Sequence, residues 1–278
     1  MTARLSKLQA TGNDFLVLDA PAPSPGVVAS LCDRHRGIGA DGLLVLGAGS
    51  DGANCTMDLF NADGQPAEMS GNGIRCLAWV AVERGLGADG VLRVDTAAGR
   101  RTVELDCDPT TGQLQRATVD MGPVTFDPVA IPFEGTSAFD VEATFHGVTY
   151  HGDAAGMGNP HLVILVDDPD RTRVTQHGPH LEHDPRFPKG TNVEFIHPQG
   201  TDRLRMRVWE RGVGETLSCG TGACAAAAVA HRRDLVGADV TVAVAGGELT
   251  VQLGETIRLG GPVVHLFDVT VDDDQWPM

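Results

Sequence analysis

Two short turns carry the residues best suited to chemistry. Cys219-Gly-Thr-Gly222 opens a run rich in alanine and valine, and Ser70-Gly-Asn-Gly73 opens another. A residue just before such a helix start sits at the positive end of the helix dipole, where free backbone N–H groups bind an anion. The same field lowers a thiol's pKa, so Cys219 is expected to favour its thiolate. Gly220 and Gly222 let a ligand carboxylate approach the backbone with no Cβ in the way. The first helical residues, Gly71 and Asn72 in one turn and Gly220 and Thr221 in the other, are therefore candidate ligand contacts. A helix start on each side of one carboxylate would stabilise the enolate-like charge left when an α-proton departs. Two acid–base groups on opposite faces of that carbon then permit inversion, one removing a proton while the other supplies one. Nothing in this scheme calls for a cofactor. With only Lys7 and Lys189 in the chain, no pyridoxal-type lysine site is evident.

The elements that must position these turns are mostly strands. Leu5–Leu8, Phe15–Leu18, Leu43–Leu46, Thr56–Phe60, His161–Val166, Thr191–Ile196 and Leu204–Trp209 all read as strands, the last alternating apolar and polar residues. Val27–His35 has helical spacing. Gly71–Arg84 and Gly220–Arg233 are apolar nearly all round, which predicts two helices buried on most faces. The two look like copies: Ser70-Gly-Asn-Gly73 matches Cys219-Gly-Thr-Gly222 at an offset of 149 (219 − 70 = 149), which also carries Asn61 onto Glu210 and Arg84 onto Arg233. Asn13-Asp14 has a looser echo in Asn159-Pro160-His161. The expected fold class is α+β, with two pseudo-symmetric domains, each a mostly antiparallel sheet wrapped around a central buried helix. A shared site is expected in the cleft between them. The expected halves are residues 1–119 with 266–278, and residues 120–265.

Composition sets limits. A chain of 278 residues with 42% hydrophobic residues suffices for two cores. A formal net charge of −16 repels phosphate backbones and anionic lipid, so neither nucleic acid nor membrane is an expected partner. No run of 18 apolar residues and no signal-like N-terminus is present, which predicts a soluble cytoplasmic protein. Its six cysteines lack paired spacing and read as reduced thiols, Cys76 and Cys224 as core residues. His177, His180 and His183 recur every third residue, but Pro179 interrupts them, and no metal site is expected.

Taken together, the motifs resemble those of the diaminopimelate epimerase family. Those carrying the resemblance are Lys7–Phe15, Arg36–Gly42, Asn61–Gly64, Gly71–Arg75, Gly158–His161, Thr191–Val193, Glu210–Thr216 and Cys219–Cys224, in the family's order. The resemblance implies a cofactor-independent amino-acid epimerase acting on diaminopimelate in lysine and peptidoglycan precursor synthesis, expected as a homodimer. It implies that Cys219 is one catalytic thiol, that Ser70 occupies the place of the other, and that His161 and Glu210 assist the two. It also implies that Asn13, Asn61, Asn159, Asn192, Glu210 and Arg211 hold the substrate; the Arg211 guanidinium suits a distal carboxylate. Three departures stand out: Gly42 where some members carry glutamine, Gln9-Ala10 for a common His-Gly, and Ser70. A hydroxyl is a poor base unless a neighbour takes its proton. Three readings stay open at Ser70: a replaced cysteine, a working Ser/Cys pair with His161 activating the serine, or altered or lost activity. A related racemase or isomerase, or a non-catalytic amino-acid-binding protein, are the alternative functions.

Overall fold

The computed structural model describes residues 2–272; residues 1 and 273–278 of the expected first half lie outside them. The described residues form two compact units, residues 2–120 with 260–272, and residues 121–259. The fold is α+β.

In the first unit the order is β1 (Thr2–Ala10), β2 (Asn13–Leu18), α1 (Pro25–Cys32), β3 (Gly42–Ala48), β4 (Cys55–Asn61), β5 (Pro66–Ala67), α2 (Gly71–Glu83), β6 (Val91–Thr96), β7 (Gly99–Cys107) and β8 (Leu114–Asp120). In the second it is β9 (Val141–Phe145), β10 (Val148–Gly156), β11 (Pro160–Leu165), α3 (Val174–Glu182), β12 (Asn192–Pro198), β13 (Arg203–Glu210), β14 (Gly214–Thr216), α4 (Gly220–Arg232), β15 (Asp239–Val244) and β16 (Gly247–Gln252); β17 (Arg258–Pro262) begins at the end of the second unit's chain and runs into the returning segment of the first. A last strand, β18 (Val264–Asp272), pairs antiparallel with β1 in the first unit.

The internal repeat is visible in the pairing. β1–β2 and β3–β4 are antiparallel, β2–β3 and β4–β6 parallel, β6–β7 antiparallel. The second unit repeats this: β10–β11 and β12–β13 antiparallel, β11–β12 and β13–β15 parallel, β15–β16 antiparallel. The two 13-residue helices α2 and α4 occupy matching places in the two series.

Each of those helices is buried because its residues leave little polar surface to solvate. In α4, Ala223 and the run Ala225–Val229 through Ala230 are buried, and alanine's small side chain lets β10–β13, β15 and β16 pack close on it. In α2 the core carries Ile74, Leu77, Ala78 and Trp79, against β1–β4, β7 and β8. Arg75, fully buried there, is held by the Gly71 carbonyl, Asn72, Thr11 and the Pro262 carbonyl, as a buried charge must be.

One expectation is corrected. α1 ends at Cys32, not His35: Asp33 turns extended (φ −62, ψ 121) and the chain folds back. The N–H groups of Ile38 and Gly39 then satisfy the Leu31 carbonyl, and Gly37 passes so close that a Cβ would stand 2.0 Å from the Ser30 carbonyl. α3 carries His177 and His180, with Pro179 inside it and His183 as its C-cap. Its buried stripe, Val174, His177, Gly178 and Leu181, docks on β12 and β13.

Candidate active site

Ser70 and Cys219 cap their helices in the same way. Both backbones are extended (φ −137, ψ 120 and φ −122, ψ 115). The Ser70 hydroxyl accepts from the Gly73 N–H at 2.9 Å, and the Cys219 sulfur from the Gly222 N–H at 3.4 Å. A side chain in the N-cap position takes up one of the orphan N–H groups of the first turn. Cys219 is 4% exposed, and its sulfur lies 3.5 Å from the Thr221 hydroxyl.

In the second unit, β11, β12 and β13 are adjacent, with His161 level with Asn192. Asn192 and Glu194, two residues apart on β12, share a face. The His161 ring is pinned at both nitrogens: Nδ1 to Glu194 Oε1 at 2.7 Å, and Nε2 to Asn159 Oδ1 at 2.8 Å. Asn192 ties three segments together, since its Nδ2 donates to the Pro160 carbonyl at 2.9 Å and its Oδ1 accepts from the Arg211 N–H at 3.0 Å. Glu182 accepts from the next N–H, Gly212, at 2.8 Å and from the Trp209 indole at 2.7 Å. The turn bearing Arg211 is thus fixed by two side chains, while its guanidinium stays exposed beside the Lys189 carbonyl.

Glu210 ends β13, and its carboxylate accepts from the Thr216 hydroxyl at 2.5 Å and lies near the Cys219 thiol. Burial raises its pKa above the ordinary carboxylate value, against those two contacts. Cys219 is also pushed well above the usual thiol value, first by burial and then by the charges of Glu210 and Glu194. The expectation of a lowered thiol pKa is therefore corrected. The helix start and the Gly222 and Thr221 contacts act in the expected direction, but desolvation and two carboxylates outweigh them. At neutral pH the resting group is the thiol, with a carboxylate at hand to take its proton.

In the first unit the expected ligand-binding residues form a polar cluster. Asn72, buried at the second position of α2, lies 3.2 Å from the Thr11 hydroxyl and 2.7 Å from Arg75, and donates to Asn13 at 3.5 Å. Asn13 donates in turn to Asp41 at 2.6 Å. Asp41 is bound by Arg34, which also grips Asp14. Burial opposes ionisation of Asp14, but bonds from Arg34 and Lys7 outweigh it and hold its carboxyl well below the ordinary range. Asn61 is apart from this cluster, exposed as the last residue of β4, where its N–H bonds to the Gln65 carbonyl.

Sequence reasoning passed over Glu194 and Thr216. A signal existed for the first: Glu194 is the one charge in the otherwise apolar run Val193-Glu-Phe-Ile196, in phase with Asn192. Among the described residues no cluster of His, Cys, Asp and Glu is arranged to hold a metal ion; His177 is buried against the Tyr150 hydroxyl at 2.7 Å. No helix among them is long and apolar enough to cross a membrane.

Comparison with known proteins agrees with these features. A family model described as diaminopimelate epimerase matches residues 5–126 and 154–263. Diaminopimelate epimerase of Moorella thermoacetica is 41% identical over 271 residues, covering 94% of this chain and 96% of that protein. That of Halorhodospira halophila is 42% identical over 275 residues, covering 95% and 93%. Among solved structures, a hydroxyproline epimerase from Agrobacterium vitis superposes with a TM-score of 0.72 at 18% identity, covering 99% of this chain and 94% of that one. A probable proline racemase from Agrobacterium radiobacter K84 gives 0.74 at 17%, covering 98% and 93%. At such identities the last two show a shared fold alone. On the family model and its close relatives, this chain belongs to the diaminopimelate epimerase family.

Proposed function

We propose that the protein interconverts L,L- and meso-diaminopimelate by proton transfer at the α-carbon, with Cys219 and Ser70 as the two acid–base groups. The observation that carries this reading is the Cys219 thiol capping α4 beside the half-buried Glu210 carboxylate. Glu210 takes the thiol proton, and the sulfur so freed takes the α-hydrogen from one face of the substrate carbon. On the other face the Ser70 hydroxyl gives its proton to the carbanion, His161 returns a proton to the Ser70 oxygen, and Glu210 releases the thiol's proton to solvent, from which His161 is recharged. The first-turn N–H groups at Gly71 and Asn72, and at Gly220 and Thr221, stabilise the charge on the substrate carboxylate. Asn13, Asn61, Asn159, Asn192 and Arg211 hold the remainder of the substrate, with Arg211 on the distal carboxylate. The reaction draws on side chains and backbone N–H groups, so the proposal assigns it no cofactor. The proposal includes a cytoplasmic homodimer serving lysine and peptidoglycan precursor synthesis; the name of the relatives supports diaminopimelate as the substrate.

A second reading, an amino-acid-binding protein without turnover, is favoured by Ser70, whose hydroxyl already serves as a helix cap. Incorporation of deuterium at the α-carbon of diaminopimelate in heavy water separates the two. The proposal expects exchange that disappears in Cys219→Ala. Binding of diaminopimelate without any exchange would leave the binding protein as the correct reading.

A further inference from the structure

We propose that Glu194 is a positioning residue for the proton chemistry: it holds the proton on His161 Nδ1, so that the nitrogen gaining and losing a proton in turnover is Nε2. The inference rests on the reading of His161 as a participant in catalysis.

Glu194 and His161 are both 0% exposed, and their atoms meet at 2.7 Å. A carboxylate removed entirely from water is costly unless something pairs with it. Here the pairing is incomplete, because Glu194 Oε2 is buried with no hydrogen-bond partner. A residue kept for packing alone would be better served by an apolar side chain at this place in the core face of β12. The room for it is made by Gly222: a Cβ there would stand 2.6 Å from Glu194 Oε1. The carboxylate thus lies against the first turn of α4, near the positive end of that helix, three residues beyond Cys219. The other titratable groups around the pair are Cys219 and Glu210.

The direction of the bond follows from donor and acceptor chemistry. An ionised carboxylate only accepts, so Nδ1 must carry hydrogen in every protonation state of the ring that keeps this contact. The other nitrogen faces Asn159 at 2.8 Å. An amide suits both states of Nε2: its oxygen accepts from Nε2–H, and a half-turn presents its N–H to a bare Nε2. Glu194 is the fixed partner of the ring and Asn159 the adaptable one. A carboxylate behind a histidine fixes the tautomer and supports the imidazolium in the same manner in serine hydrolases.

The test reads the ring directly. In protein carrying 15N-histidine, the His161 signals are assigned by their loss in His161→Gln. The expected result is a protonated Nδ1 in the unaltered protein; a bare Nδ1 overturns the proposal whatever any variant does. Glu194→Gln keeps the size of the side chain, removes the charge, and adds an N–H2 able to face Nδ1. We expect a population with the proton moved to Nε2, and an epimerisation kcat lower by about 10- to 100-fold with KM changed little. A Glu194→Gln protein with unaltered kcat and tautomer overturns the proposal. If His161→Gln itself keeps full activity, the underlying reading of His161 fails. If His161→Gln loses activity and Glu194→Gln does not, only the role of Glu194 fails.

Discussion

Replacing Gly222 by alanine probes whether the thiol and the buried carboxylate really share one tight space. The added Cβ would stand 2.6 Å from Glu194 Oε1 and 3.2 Å from both Cβ and Sγ of Cys219. An ordinary carbon–oxygen contact is about 3.3–3.6 Å, so the carboxylate must retreat by about 0.7–1 Å. It is not free to do so, being fully buried and bonded to His161 at 2.7 Å. Overpacking of this kind costs about 1–3 kcal/mol. Alanine returns about 0.8–1 kcal/mol through its helix propensity. The balance is a loss of up to about 2 kcal/mol, which lowers Tm by a few degrees at about 2–4 °C per kcal/mol. Displacing catalytic groups by about 1 Å is a larger matter for rate, about 10²-fold. Gly73 is the matched control for stability. A Cβ there meets Ser70 Cβ at 3.1 Å, and Leu44 Cδ2 and Ser70 Oγ at 3.3 Å, contacts that a few tenths of an ångström relieve. Gly73→Ala should therefore stay within about 1 kcal/mol of the parent protein. Thermal unfolding and α-hydrogen exchange of diaminopimelate in heavy water give both quantities. If Gly222→Ala is as stable as Gly73→Ala and exchanges at the parent rate, the carboxylate has room to move and the reasoning is wrong.

Ser70→Cys should raise the epimerisation rate by about 10²–10⁴-fold, the usual contribution of a positioned acid–base group, and by the same factor in both directions. In the Ser70 protein, the stereoisomer whose hydrogen faces Cys219 should exchange faster than it epimerises; equal exchange of both isomers would show Ser70 to be a competent base. Glu210→Gln should speed alkylation of Cys219 in mildly alkaline buffer, because it removes one of the charges that raise the thiol's pKa. Peptide mass spectrometry reads this, with half-buried Cys107 as internal reference, and slower alkylation would contradict the electrostatic account. Stability should fall above about pH 9, where unfolded thiols ionise. Burial pushes Cys32 and Cys55 up to about 11 and Cys76 up to about 12. Their contribution is whole below the unfolded pKa and is lost as pH rises from there toward the folded values. Each thiol steepens the loss by up to about 1.4 kcal/mol per pH unit, so unchanged denaturation midpoints between neutrality and pH 10 would refute it.

The residues of the sequence determine the local parts of this protein. Gly-x-Gly after Ser70 and Cys219, followed by small apolar residues, is enough to start α2 and α4 at Gly71 and Gly220, since caps and helix starts are settled within one turn. The repeat at an offset of 149 is written in those same turns, and the strands of the sheet cores follow from short apolar runs. The weaker elements are decided by docking. α3 forms across Pro179 because β12 and β13 accept its buried stripe, and α1 stops at Cys32 because the returning chain takes the carbonyl of Leu31. The charge state of Cys219 belongs to the tertiary structure altogether. The helix start that lowers a thiol's pKa is adjacent in sequence. The burial that raises it, and the carboxylates of Glu194 and Glu210, come from strands brought alongside by folding. Desolvation and Coulomb energies depend on distance in space, and nothing in the order of residues around Cys219 reports them.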